Sequence, residues 1–264
     1  MLSYKDQLGR IITLAKSPKS IISLVPSQTE LLCDLGLEAN IVGVTKFCIH
    51  PYHLKSVKTM VGGTKNVHLD KIKALQPDII LCNKEENTPE MVEMLQEIAP
   101  VHVSDIETID DTIELITLYG VLFSCRTEAI KIIQKLQFKL NDFKEFVAQQ
   151  PSLKVIYFIW RAPWMVAANG TFIHHLLVLN GFENVYADEF RYPEVELKKL
   201  RLKGDADVVL LSSEPYPFKE EHAFEVGRFT HHAKTVFVDG EYFSWYGTRL
   251  LRAFDYFKVL RKQL

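Results

Sequence analysis

The longest regular pattern of apolar and polar positions lies in the middle of the chain. Between Ser124 and Pro151 there is no Gly or Pro, and polar residues separate the apolar ones. The apolar positions are Ile130, Ile133, Leu136, Leu140, Phe143 and Val147. Steps of three and four residues put them on one face of a helix about 37 Å long. No second segment of this kind exists for a coiled coil, so we interpret it as one connecting helix.

On both sides of this helix, short apolar runs of strand length alternate with helical segments. The runs are residues 21–25, 41–44, 78–82 and 101–105, then 154–160, 207–212 and 235–239. Such alternation predicts parallel sheets with helices on their faces. The predicted fold class is α/β, with two Rossmann-like lobes joined by a single long backbone helix. The predicted domains are an N-terminal lobe over 1–123, the connecting helix over 124–150 and a C-terminal lobe over 151–264.

Several helix starts can be predicted from capping residues. Ser27 and Glu30 form an S-x-x-E pattern, and Thr108 and Asp111 form a similar pair. Each pair predicts a capping box, in which the two side chains satisfy free N–H groups of the first turn. Ser124 is expected to cap the central helix in the same way.

The segments that follow the predicted strands are rich in rings and charges. In parallel α/β sheets, ligands bind beyond the carboxyl ends of the strands, so these segments contain the candidate ligand-binding residues. The candidates are Phe47, Cys48, His50, Glu85, Trp160, Arg161, Trp164, Arg191, Tyr192, Glu214, Tyr216, Phe243, Trp245 and Tyr246. We expect two lobes to bring these loops to one cleft lined by aromatic faces. The alternative is that several rings pack as core at the lobe edges.

Composition and charge exclude some functions. The net charge is −2 with both signs scattered, which argues against a nucleic-acid partner. No apolar run reaches the roughly 18 residues of a membrane helix. The first ten residues show no signal peptide, so a cytoplasmic location stays open. The four cysteines are far apart. We expect a monomer without an intrinsic cofactor.

Sequence motifs for catalysis or metal binding are scarce. There is no G-x-G-x-x-G after a strand, no G-x-x-x-x-G-K-[ST] and no G-x-S-x-G. Adjacent histidines at His174 and His175 diverge by about 100° on a helix and do not chelate easily. No resident metal is therefore expected. A single axial ligand from Cys48, His50 or His174 to a metal held by its own chelator remains open.

Three segments together resemble a known family. They are SLVPSQTELLCDLGL (23–37), VGVTKFCIHP (42–51) and LDKIKALQPDIIL (69–81). They resemble ABC-transporter substrate-binding proteins for cobalamin and iron complexes, most closely the vitamin B12-binding members. The resemblance covers nearly the whole chain. It implies a class III periplasmic-binding-protein-like fold, a periplasmic or membrane-anchored location and a metal-chelate ligand.

The resemblance also implies roles for individual residues. Phe47 matches an aromatic position that touches the corrinoid, and Tyr192 matches a pocket Trp. The stretch from Phe243 to Trp245 matches an aromatic end-loop, whereas another family Trp is replaced near Thr64.

Docking on an ABC permease is the second role that the resemblance implies. The family places one acidic residue on top of each lobe for this contact. Asp70 matches the first position, and the second falls on Lys198, with Glu194 and Glu196 close by. The predicted docking residues are therefore Asp70, Glu194 and Glu196.

The leading hypothesis is a non-enzymatic receptor that captures cobalamin, haem or a ferric siderophore for uptake. Arg161, Arg191 or Arg249 would pair with carboxylates or a phosphate of the ligand.

Two alternatives remain. One is a cytoplasmic metallocofactor-handling protein or enzyme on the same scaffold, with Glu85, Glu214, Cys48 and His50 as acid–base or ligand groups. The other is a sensor or scaffold whose cleft binds a protein segment.

Overall fold

The computed structural model describes the backbone of residues 2–264 and the side chains of residues 3–264. The chain divides into two compact units. The first unit contains the residues up to Leu136 together with Tyr246–Arg249. The second unit contains Gln137–Trp245 and Leu250–Leu264.

The first unit begins with an antiparallel hairpin and continues as an alternation of strands and helices. Its strands are β1 (Leu2–Lys5), β2 (Ile11–Leu14), β3 (Ile21–Ser23), β4 (Ile41–Val44), β5 (Thr59–Met60), β6 (Ile79–Asn83) and β7 (Val101–Ser104). Its helices are α1 (Pro26–Asp34), α2 (Leu54–Val57), α3 (Leu69–Ala74), α4 (Pro89–Gln96), α5 (Ile109–Leu122) and the first part of α6 (Arg126–Val147).

The sheet of the first unit is parallel, with the strand order β5-β4-β3-β6-β7. Every residue of β3, β6 and β7 is buried, as expected for strands covered on both faces. Ile22, Ile80 and Leu95 belong to the hydrophobic core cluster that covers this sheet. After β3, the chain adds β4 and β5 on one side of the sheet and then adds β6 and β7 on the other side. The direction in which strands are added therefore reverses between β3 and β6. This switch point is where ligands bind in open α/β sheets.

The central helix α6 is continuous from Arg126 to Val147. It is shorter than the predicted 124–150 because Ser124 has a φ of 59° and lies in a left-handed turn after α5. Ser124 therefore does not cap the helix as expected. The compact units divide within α6, after Leu136. The predicted boundaries of the lobes and the connecting segment remain a prediction.

The second unit repeats the alternation of strands and helices. Its strands are β8 (Leu153–Trp160), β9 (Met165–Val166), β10 (Phe182–Asn184), β11 (Val208–Ser212) and β12 (Lys234–Val238). Its helices are the rest of α6, α7 (Phe172–Leu179), α8 (Leu200–Lys203), α9 (Glu220–Gly227), α10 (Gly240–Ser244) and α11 (Leu250–Gln263). Parallel strands follow the order β10-β8-β11-β12, and β9 pairs antiparallel with β8. The order reverses between β8 and β11.

The predicted fold class is confirmed. The apolar runs predict the buried strands but not the short or exposed ones, which are the β1–β2 hairpin, β5, β9 and β10. The capping box at Thr108 and Asp111 is confirmed. The one at Ser27 and Glu30 is wrong, because α1 begins at Pro26 after Val25 without a side-chain cap. Across residues 2–264, no helix combines the length and hydropathy that crossing a bilayer requires.

Candidate ligand-binding site

The loop after β4 presents an exposed ring in the first unit. Phe47 is 47% exposed, and Lys46 Nζ lies 4.9 Å from the centre of its ring. Gly63 lies beneath both: a Cβ placed there would be 3.3 Å from Phe47 Cε2 and 3.7 Å from Lys46 Cε. Farther along the loop, the partly buried His50 ring packs edge-on against Tyr52, with centroids 4.9 Å apart. The loop therefore offers Phe47 as a stacking surface flanked by a cation.

Cys48, in the same loop, points the other way. It has no exposed surface, and its Sγ lies 3.1 Å from Thr29 Oγ1 and 3.3 Å from Thr45 Oγ1. Burial raises the pKa of the Cys48 thiol, so the side chain stays protonated. This corrects the prediction that Cys48 contacts a ligand or binds its metal, since a metal ligand must be an accessible thiolate.

The loop after β6 is joined to the loop before α3 by hydrogen bonds. Lys65 Nζ donates to the main-chain oxygen of Glu85 (2.6 Å), and Asn87 Nδ2 donates to the main-chain oxygen of Thr64 (2.8 Å). The Glu85 amide donates to Asn83 Oδ1 at 2.8 Å. Glu85 is thus held at the β3/β6 switch point, partly buried.

Tyr246 and Arg249 are buried within the first unit. Tyr246 Oη accepts from Gln28 Nε2 (2.9 Å) and lies 3.1 Å from Ser104 Oγ. Burial raises the pKa of Tyr246 to about 12. Arg249 Nε donates to Glu30 Oε2 at 2.9 Å. Both predictions are corrected: Tyr246 belongs to a buried polar network instead of a pocket wall, and Arg249 already pairs with a carboxylate of the chain.

In the second unit, the ends of β8 and β11 bring rings and an arginine together at the switch point. Trp160 is 39% exposed and packs edge-on against Tyr216, with centroids 5.6 Å apart. The Arg161 guanidinium binds Glu225 Oε2 through Nη2 (2.9 Å) and Nε (3.2 Å) and lies 5.6 Å from the centre of the Trp164 ring. The structure therefore places these four predicted residues in one cluster.

Arg191 and Tyr192 form a second group in this unit. The Arg191 guanidinium lies 5.9 Å from the centre of the Tyr192 ring. Arg191 has a φ of 63°, and its amide donates to the Asn169 carbonyl at 2.7 Å while its carbonyl accepts from the Ala168 amide at 2.8 Å. The backbone contacts hold the loop that carries both side chains.

The loop after β11 and helix α10 form a buried polar contact. Glu214 accepts hydrogen bonds from Ser244 Oγ (2.7 Å) and Trp245 Nε1 (2.9 Å). Burial raises the pKa of the Glu214 carboxyl, although these two bonds oppose the shift. Phe243 has no exposed surface and packs on Tyr157, with centroids 5.1 Å apart. The prediction that Phe243 lines a ligand pocket is corrected, and Trp245 is also largely buried.

The predicted docking residues all lie at the surface. Asp70 is in the first turn of α3 and exposed, and Glu194 and Glu196 are exposed before the turn at Leu197–Lys199. Glu196 pairs with Lys199 at 2.6 Å. Their docking role remains a prediction.

Histidine offers little support for metal binding. His174 Nδ1 lies 3.1 Å from Asn184 Nδ2, and burial lowers the pKa of His174. Within the described residues, no group of three or more His, Cys, Asp or Glu side chains could hold a metal ion.

Comparison with known sequences identifies the family. The profile of the family described as periplasmic binding protein matches residues 21–223. The chain belongs to this family. The predicted resemblance is thereby confirmed, and the members are substrate-binding receptors.

Relatives of this periplasmic binding protein are distant but cover most of the chain. The ABC transporter substrate-binding lipoprotein YvrC of Bacillus subtilis is 23% identical, over 96% of this chain and 83% of its own length. The vitamin B12-binding protein of Pectobacterium atrosepticum is 24% identical, over 89% of this chain and 86% of its own length. A periplasmic haem-binding protein from Pseudomonas aeruginosa superposes with a TM-score of 0.80 at 19% identity, covering 92% of each chain. These likenesses agree on the fold.

Three residues that the sequence does not mark complete the clusters of this periplasmic binding protein. Lys46 flanks Phe47, Glu225 holds Arg161, and His222 contacts Tyr216. Glu225 and His222 lie on α9, so their positions depend on how that helix packs and no local motif marks them.

Proposed function

We propose that this periplasmic binding protein is the substrate-binding receptor of an ABC transporter and captures a metal chelate. The candidate ligands are cobalamin or another corrinoid, haem and ferric siderophores. Relatives named for vitamin B12 and haem support this choice. The protein would act in the periplasm or anchored to a membrane, and Asp70, Glu194 and Glu196 would contact the permease. It would bind its ligand without turnover.

The observation that carries the proposal is the position of the exposed rings. Phe47 follows β4, next to the first switch point, and Trp160 ends β8 at the second. Both keep more than a third of their surface exposed. Each of these rings offers a large flat surface that suits a planar conjugated ligand, and the Arg161 guanidinium in the Trp160 cluster suits acidic groups of such a ligand. Cys48, one of the four acid–base or ligand groups of the enzyme alternative, has no exposed surface.

Ligand titration tests this function. Cyanocobalamin, haemin and a ferric hydroxamate siderophore are each added to the purified protein while tryptophan fluorescence is followed. Because Trp160 is exposed in the proposed site, the cognate chelate should quench the emission in a saturable way. Phe47→Ala should weaken binding by about fivefold, which corresponds to about 1 kcal/mol of ring stacking.

A matched control is Phe138→Ala. Phe138 lies on α6 and is 73% exposed, so its removal should leave affinity unchanged. If none of the three chelates binds the intact protein, the proposed function is wrong.

A further inference from the structure

Phe190 is an exposed ring of the second unit that no sequence motif marks. It precedes Arg191 and Tyr192 in the segment between β10 and the turn at Leu197–Lys199, and 67% of it is exposed. An exposed apolar side chain is common on protein surfaces, but this one is fixed at both its backbone and its ring.

The backbone around Phe190 is held by the segment before α7. Phe190 forms a bridge with Asn169 in parallel orientation. The Arg191 amide donates to the Asn169 carbonyl at 2.7 Å, and the Arg191 carbonyl accepts from the Ala168 amide at 2.8 Å. These bonds fix the point from which the ring projects, so the loop has little freedom left to lose when a ligand binds.

Gly170 provides the seat of the ring. Its φ of 73° lies in the left-handed region that glycine adopts readily. A Cβ at Gly170 would lie 3.1 Å from Phe190 Cδ2, 3.0 Å from Cζ and closer still to Cε2. One side of the ring therefore rests directly on the main chain, and a side chain at position 170 would push it away. Phe47 in the first unit is held in a similar way above Gly63.

The seat lies at the edge of the sheet where ligands are expected. Strand β10 ends at Asn184, whose Nδ2 donates to the Ala167 carbonyl at 2.9 Å. Thr171 caps α7 by accepting from the His174 amide at 3.1 Å. The segment between Ala167 and Thr171, which includes Gly170, is thus attached to the carboxyl end of β10, a strand parallel to β8. The carboxyl ends of parallel strands form the edge at which α/β sheets bind ligands.

We propose that Phe190 is a stacking surface of the second unit for a flat conjugated face of the bound chelate, with Gly170 as its positioning residue. The inference rests on the proposed function and narrows the ligand class. A corrin or a porphyrin presents such a face, whereas a linear aliphatic hydroxamate does not. Stacked aromatic faces contribute beyond the apolar area that they bury, and a ring that is already fixed loses little freedom on binding.

Fluorine NMR of the full chain tests the contact directly. 4-Fluorophenylalanine replaces Phe190 in one sample and the exposed Phe138 of α6 in a control sample. Cyanocobalamin and haemin are added to each. The chelate that binds should shift or broaden the resonance at position 190 in a saturable way, because ring currents or the paramagnetic ferric ion act at short range. The resonance at position 138 should stay unchanged.

Variants separate the flat face of the ring from its apolar volume. F190Y keeps the ring and should bind the chelate within about twofold of the intact protein, whereas F190L should bind about fivefold more weakly, the loss expected for one stacking contact. G170A should lower affinity by a similar factor, because the added Cβ displaces the ring. In the F190A background, G170A should cause no further loss, since there is no ring to displace.

Circular dichroism verifies folding, and the fluorine label decides if a variant fails to fold. An unchanged resonance at position 190 with a bound chelate, equal affinity of folded F190L, or binding of only the aliphatic hydroxamate overturns the inference and leaves the function standing. An equal loss from G170A with and without the ring also overturns it, because the effect then comes from backbone strain. Binding of no chelate overturns the function itself.

Discussion

His102 is the clearest case of a residue whose environment sets its chemistry. It is completely buried on β7, with its ring centre 5.4 Å from that of Tyr119. Among the described residues, neither ring nitrogen has a hydrogen-bond partner. Burial lowers the pKa of His102 to about 4; the Asp6 charge has a smaller effect that raises it, and the Arg10 charge adds a smaller effect that lowers it. The ring is therefore neutral in the folded protein.

Stability should consequently depend on pH through His102. The unfolded chain binds a proton at this residue near pH 6.5, whereas the folded one does so only near pH 4. Above pH 6.5 the neutral ring costs the folded state no protonation. As the pH falls from 6.5 to about 4, the free energy of unfolding decreases by about 3 kcal/mol. Urea unfolding of the intact protein and of H102F at several pH values measures this difference.

The comparison with H102F isolates His102 from other groups. Burial raises the pKa values of Glu30 and Glu214, so their contribution to the free energy of unfolding decreases as the pH rises. The contribution of His102 changes in the opposite direction. Both carboxyls are present in both proteins, and their effect cancels in the difference. A difference in unfolding free energy that stays constant between pH 7 and pH 4 would contradict the assignment.

At the scale of an element, helix α5 begins with the capping box that the local sequence predicts. Thr108 Oγ1 accepts from the Asp111 amide at 3.2 Å, and Asp111 Oδ2 accepts from the Thr108 amide at 2.8 Å. The two contacts satisfy free N–H groups at the start of the helix. The interaction depends on residues three apart, which explains why the sequence predicts it.

Thr108→Ala should destabilise the protein by about 1 kcal/mol, the usual effect of losing an N-cap. Urea unfolding measures the change. Thr117→Ala is the matched control in the same helix, since its exposed hydroxyl bonds only to the Ile113 carbonyl of the preceding turn. The prediction fails if the two variants are equally stable.

At the scale of the whole molecule, the chain returns to the first unit late in the sequence. Tyr246–Arg249 belongs to that unit although the residues on both sides belong to the second. The Gly247–Arg249 turn packs on α1, and Arg249 reaches the buried Glu30 carboxylate, 219 positions earlier. The first unit is therefore incomplete without a segment from the far end of the chain.

Arg249→Met should accordingly cost about 3 kcal/mol, because Glu30 would remain buried without its cation. The double variant E30M/R249M, which removes both charges, should recover part of this loss. Urea unfolding of both single variants and the double variant completes a double-mutant cycle. Additive effects of the two substitutions would show that the pair is not coupled.

Much of the fold can be predicted from local patterns. The period of apolar residues predicted α6 to within three residues at each end, and the buried runs predicted β4 and β11 closely. Short strands such as β5 and β10 were missed because their two or three residues carry no periodicity and depend on a neighbouring strand. The capping box at Ser27 does not form because α1 begins at Pro26, which puts Ser27 inside the first turn instead of at the N-cap.

By itself, the sequence determined the alternation of strands and helices, the central helix and the family, because these depend on residues close together in the chain. The tertiary structure alone decided which rings and charges face solvent. Phe47 and Phe243 both lie beyond strands, yet one is exposed above Gly63 and the other is buried against Tyr157. Burial is set by contacts between distant residues, and a local pattern does not contain that information.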